Sequence, residues 1–254
     1  MSKESKEELL KAWSDFPNEK PFIAIVDQDI IKKDELVDNK SQGSIRFDFS
    51  YLPQPWWGNI DDPKVIILAI NPGIHKIPEK EKEENDSTEK LIRDNLNGTP
   101  INWLKEGSVT KDWWTQTLND VIDELKEENK SVENIANKLG VFELFGYHSS
   151  KFNSGDYSNI AQVINKEFGS NKTRLPTQEK LFKHLNSLID ASNPPLVVII
   201  WGQKFWKEVI DKLDNNCDKV ALIDYIDTVS TRSHYLSKGN LRPIDFKRLK
   251  EALD

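Results

Sequence analysis

The chain has 254 residues, 37% hydrophobic and 30% charged, with a formal net charge of −7. That balance belongs to a globular protein with a real core, large enough for one big domain or two small ones. The single cysteine, Cys217, excludes an internal disulfide and a cysteine-based metal cluster, and the acidic excess argues against sequence-blind wrapping of nucleic acid, which depends on neutralising phosphates.

The first stretch, "MSKESKEELLKAW", is charged and lacks the apolar segment of a signal peptide. No run approaches the ~18 apolar residues of a membrane span, so the expectation is a cytoplasmic protein that makes no contact with a membrane. Residues 3 to 13 read as a short helix with Leu9, Leu10 and Trp13 on one side. "FIAIVDQD", 22 to 29, suits either a helical turn or a strand. "SIRFDFSYLP", 44 to 53, alternates like an edge strand. "PQPWWGNI" then passes through the turn formers Pro53, Pro55 and Gly58. Residues 1–50 are expected to form an N-terminal extension and residues 51–254 the main domain.

Four apolar runs follow: "KVIILAI" at 64 to 70, "VFELFGY" at 141 to 147, "LVVIIWG" at 196 to 202 and "KVALIDY" at 219 to 225. The first and third are almost continuously apolar, as parallel strands covered on both faces are. Helical patterns separate them at 112 to 129, 131 to 140 and 176 to 191, the last with Leu181, Leu185 and Leu188 in register and Thr177 as its cap. "QKFWKEVIDKLD" and "RPIDFKRLKEAL" continue the alternation after the third and fourth runs. The charged "PEKEKEENDSTEK" reads as an exposed loop or the start of a helix into "LIRDNL". Strands alternating with helices predict an α/β three-layer sandwich: a central, mainly parallel four-stranded sheet with helices on both faces.

Ligands of open parallel sheets bind at the carboxyl ends of the strands. Four segments belong there: "NPGIH", "GYHSSKF", "WGQKFW" and "TRSHYLSKGN". Asn71 offers a donor and an acceptor on one side chain, and Gly73 permits close backbone approach. The plainer readings are a tight turn for "NPG", a satisfied loop histidine beside a packed tyrosine for "GYHS", and a solvated turn for "SKGN". A metal site from His75, His148 and His234 would need three loops to converge, and no HxH, HxxxH or cysteine spacing supports it. His184, inside a helical pattern, reads as a surface or packing residue. GxxxxGK[ST], GxGxxG and GxSxG are all missing, so P-loop, dinucleotide and hydrolase-elbow chemistry are not expected. Neither a metal nor a cofactor is expected.

"AINPG", 69 to 73, resembles the first motif of the uracil-DNA glycosylase superfamily in its mismatch-specific and single-strand-selective branches, with Ala69 in place of a glycine. "SHYLSKGNLRP" stands where that family carries its second motif, without the proline-serine pair that usually follows the histidine. "ELFGYHSSKF" is similar to a stretch in poorly characterised members. The likeness spans roughly residues 50 to 254 and keeps the order of elements. It implies hydrolysis of the N-glycosidic bond of a damaged or modified base in DNA, single-stranded DNA included, with no obligate protein partner. Asn71 would place the water and His234 would contact the departing base. Ser233, Ser237, Lys238 and Asn240 would hold the backbone, and Gly73, Tyr147 and His148 would line the pocket. Trp56, Trp57, Tyr147 or Trp201 would stack on the flipped base. The family's stronger catalytic aspartate is absent, and Glu143 lies in the strand where uracil readers commonly carry an asparagine. A nucleic-acid or nucleotide binder of the same fold that cleaves nothing is the alternative.

Overall fold

The computed structural model describes residues 2–31, 47–73, 82–99, 103–104, 111–149, 174–200, 205–214 and 235–254. The run at 219 to 225, and with it His75, Trp201, Ser233 and His234, lies outside the described residues.

Helix α1 spans Ser2–Ser14, and a 3₁₀ turn at Ile25–Asp27 leads into the short α2, Gln28–Ile31. Strands β1 (Phe47–Asp48), β2 (Trp56–Gly58) and β3 (Val65–Ala69) come next. Among the described residues, helices α3 (Lys82–Leu96), α4 (Lys111–Thr117), α5 (Asn119–Glu127) and α6 (Val132–Lys138) follow. The chain continues through β4 (Leu139–Glu143), β5 (His148–Ser149), α7 (Pro176–Ile189), β6 (Leu196–Ile199), α8 (Lys207–Asp214) and α9 (Pro243–Leu253).

The central sheet has the order β2-β4-β3-β6. Strand β3 runs parallel to both neighbours, with Ile67 opposite Val141 on one side and Val198 on the other. Every residue of β3 and β4 is buried. Successive side chains of a strand point to opposite faces, so both faces are covered, and the helices cover them. This is the three-layer α/β arrangement read from the apolar runs.

The fourth described strand is not the run expected. Strand β2 pairs antiparallel with β4, Trp57 opposite Val141, from within a stretch read as turns. A three-residue edge strand tolerates the neighbouring Pro55, whose missing N–H is not needed there while its carbonyl accepts from Glu143 N at 2.9 Å. Gly58 closes β2 at a φ of +79°, and a Cβ there would strike the Leu139 carbonyl and the Trp103 indole.

Three other boundaries move. Of the 44 to 53 strand, the described residues hold only Phe47–Asp48 as strand, paired with His148–Ser149 in a separate ribbon. The 112 to 129 helix breaks at Leu118, because the Thr117 carbonyl is taken by Leu236 N at 2.7 Å. The second strand begins two residues early, straight out of α6, and ends at Glu143.

Helix α1 packs along α7, and one apolar cluster joins Leu9, Trp13 and Ile31 to the sheet residues Ile67 and Phe142. Polar contacts reinforce that seam. His184, fully buried in α7, lies 3.2 Å from Ser5 Oγ and 2.8 Å from the Ile60 carbonyl, and is a packing residue. The N-cap of α7 is Leu175, not Thr177. Thr177 donates its N–H (3.1 Å) and its hydroxyl (2.6 Å) to the carboxylate of Asp27. A side chain 150 residues away therefore takes one of the donors that a helix start leaves without an internal partner.

Candidate functional site

Strand β3 ends at Ala69, and its pairing with the next strand continues briefly, Leu144 N donating to the Ala69 carbonyl and Phe145 N to that of Ile70. Asn71, Pro72 and Gly73 then turn away at the carboxyl edge. The turn is held from the far side of β4. Ser149 N donates to the Pro72 carbonyl at 3.3 Å, Gly73 bridges Ser149, and Asn71 Nδ2 donates to Ser149 Oγ at 2.9 Å. Asn71 Nδ2 also donates to the Pro72 carbonyl at 2.9 Å. A carbonyl only accepts, so this contact fixes which end of the carboxamide is nitrogen. The oxygen, Oδ1, is left as an acceptor that no donor among the described residues reaches, on a half-buried residue. Apart from its chain neighbours, no described residue has an atom within 4 Å of the place a Cβ would take on Gly73.

His148 braces the same turn. Its Nδ1 lies 2.9 Å from the Gly73 carbonyl and its Nε2 3.0 Å from that of Leu52. Both contacts are hydrogen bonds only when the ring carries two protons, since each partner can only accept. The ring is buried and sits against Tyr51, centroids 5.3 Å apart. His148, expected to line a pocket, thus lies buried between the carbonyls of Gly73 and Leu52.

Tyr147 is packed in the interior too. It is buried, with the rings of Trp13, Phe47 and Phe49 at 5.3, 5.7 and 5.2 Å, so it has no open face for a base. Its hydroxyl donates to Asp27 Oδ2 at 2.8 Å and accepts from Ala24 N at 3.2 Å. Trp56 and Trp57 are buried in the sheet and are not stacking surfaces either. The plainer reading of "GYHS", a satisfied histidine beside a packed tyrosine, is what the structure holds.

Glu143 is the residue whose weight sequence reasoning missed. It closes β4 opposite Ala69, buried, and its Oε2 has no hydrogen-bond partner among the described residues. Direct register and strand alternation put it on the face shared by Val65, Ile67 and Ala69. Ala69, only a methyl, is the smallest of these neighbours. Burial pushes the Glu143 carboxyl up to about 8, so it is largely protonated at neutral pH. A glutamate ending an apolar run, "GVFELF", was the available signal.

The loop before α9 sits elsewhere. Leu236 bonds to Thr117 between α4 and α5, and Lys238 N donates to Asp120 Oδ2 at 2.9 Å. The Lys238 ammonium pairs with Glu124, which holds its pKa above the ordinary lysine value, and Asp120 and Glu127 add to the effect. The Ser237 carbonyl accepts from Asn240 N and Leu241 N, and Asn240 Nδ2 donates to the Tyr235 carbonyl at 3.0 Å. A phosphate brought to Lys238 would meet carboxylates. Ser237, Lys238 and Asn240 lie on a self-bonded turn docked on α5.

A cleft of about 300 Å³ opens at the opposite end of the sheet, where Gly58 pairs with Gly140 at the start of β4. Asn59, Asp61, Asn95 and Asn137 line it. Asn59 and Asn95 spend their amides on its walls, on the carbonyls of Asp62, Asn137 and Trp56. No group of three or more His, Cys, Asp or Glu among the described residues is placed to hold a metal ion. No described helix is long and apolar enough to cross a membrane.

No protein-family profile, curated protein or solved structure matches the chain.

Proposed function

We propose that the chain hydrolyses the N-glycosidic bond of a damaged or modified base in DNA, in the manner of the uracil-DNA glycosylases it resembles in sequence. The observation that carries this reading is the Asn71 carboxamide, pinned through its nitrogen with its oxygen left to accept. An acceptor fixed at a strand end orients a water without removing its proton early. That suits a reaction in which the sugar cation has already developed and water adds to it. Orienting one reactant in advance lowers the barrier by removing freedom before the chemical step. His234 enters from the sequence resemblance, as the group that contacts the departing base.

The test is direct. Oligonucleotides carrying uracil, hypoxanthine, xanthine or 7-methylguanine, single- and double-stranded, are incubated with the protein and assayed for abasic sites. Abasic product from any of them supports the reading, and none on prolonged incubation removes it.

One observation favours a second reading. The expected phosphate-holding loop is compensated by Glu124, which suits a smaller ligand, a nucleoside or nucleotide bound at the same edge and not cleaved. Retained binding of free nucleosides without base release would distinguish it.

A further inference from the structure

Buried polar groups in folded proteins are nearly always bonded, and a buried oxygen without a partner is costly to keep. Glu143 Oε2 is such an atom, enclosed and partnerless among the described residues, and only 6% of the residue is exposed. Glu143 ends β4 at the carboxyl edge, opposite Ala69, two residues before Asn71 on the adjacent strand. The other buried carboxylate tied to this part of the fold, Asp27, has its oxygens taken by Tyr147 and Thr177. Among the described residues no donor accounts for Glu143 Oε2 in this way.

We infer that Glu143 is the proton donor to the departing base, a catalytic residue of the site that Asn71 marks. The inference rests on the glycosidic reading of that site. As the bond from the sugar anomeric carbon to the base nitrogen breaks, its electron pair passes to the base. The Glu143 carboxylic acid gives its proton to a ring heteroatom or carbonyl oxygen conjugated with that nitrogen. Water oriented by Asn71 adds to the sugar carbon, and the proton it loses restores the Glu143 acid. The products are the free neutral base and an abasic sugar, and no other reactant is consumed. A donor must hold its proton at working pH. Burial keeps this carboxyl protonated up to about pH 8, and no charged side chain of the described residues adds to the shift. Of the titratable groups that follow along the chain, Tyr147 gives its hydroxyl to Asp27, and His148 has both ring nitrogens against backbone carbonyls.

This role favours bases that leave poorly as anions and gain from protonation, above all neutral oxidised or deaminated purines such as hypoxanthine. A base already cationic, such as 7-methylguanine, needs no proton.

The experiment compares wild type with Glu143→Gln, an uncharged isostere of the acid, by single-turnover release of hypoxanthine and 7-methylguanine from oligonucleotides between pH 6 and 10. The expected result is hypoxanthine release slowed roughly 100-fold or more, with DNA affinity and any 7-methylguanine release within a few-fold of wild type. Wild-type hypoxanthine release should fall as pH rises past about 8, and that of the variant should stay flat. Hypoxanthine release within a few-fold of wild type, an equal loss on both bases, or an unchanged pH profile would overturn the inference while leaving the glycosidic reading intact. Failure of the wild type to release any base would overturn both.

Discussion

Asn71 and Ser149 are 78 residues apart in sequence, yet the carboxamide nitrogen of one donates to the hydroxyl of the other at 2.9 Å. That bond ties the turn after the first parallel strand to the ribbon beyond the second, and it leaves Asn71 Oδ1 facing no donor among the described residues. Ser149→Ala removes one of the two bonds that hold the carboxamide. The expected effect is base release slowed about 5- to 10-fold, the worth of one ordinary hydrogen bond, with substrate affinity unchanged. Steady-state kinetics check it. A change confined to KM would assign Ser149 to substrate binding instead.

Asp27 gives the fold a pH dependence of known sign. It is fully buried, and burial raises its pKa from 3.8 to about 6, against the lowering effect of its bonds to Thr177 and Tyr147. A carboxyl that binds its proton more tightly when folded adds stability below pH 3.8, and loses that contribution as pH rises through about 6. The loss is on the order of 3 kcal/mol between those limits. Asp27→Asn should abolish this part of the slope. Denaturant midpoints of both proteins from pH 4 to 7 measure it. Parallel curves would show that the carboxyl titrates alike in the folded and unfolded chains.

Lys238 is spent on Glu124, so Lys238→Ala should change DNA affinity by less than about twofold and leave its salt dependence as it was. A lysine that held a phosphate would reduce the salt slope by about one. Titrations at several salt concentrations separate the two results, and a shallower slope would return the loop to the binding surface.

The parts of this fold that were legible in the sequence are those set by local pattern. "KVIILAI" and "LVVIIWG" announced buried parallel strands because both faces of such strands are apolar, and the helix at 176 to 191 followed from its leucine spacing. What was not legible depends on distant partners. Strand β2 exists because Pro55 and Trp57 meet β4 more than 80 residues later, and three residues with turn formers on either side carry no periodic signal. The start of α7 looked capped by Thr177, but its donors go to Asp27. Asn71 stood out by itself, as a polar residue ending an apolar run. Glu143 could be noticed there, but its lack of a partner is a property of the folded interior. Lys238 looked like a phosphate contact for the opposite reason, since its neutralising carboxylate lies on α5, far off in sequence.

The most direct measurement of the central claim sets single-turnover base release beside DNA affinity for wild type and Asn71→Ala. The carboxamide matters mainly once the sugar cation has formed, so binding should stay within about twofold while release slows about 100-fold. Unchanged release in the variant, or a loss of affinity with no separate chemical defect, would contradict the assignment of Asn71 as the residue that places the water.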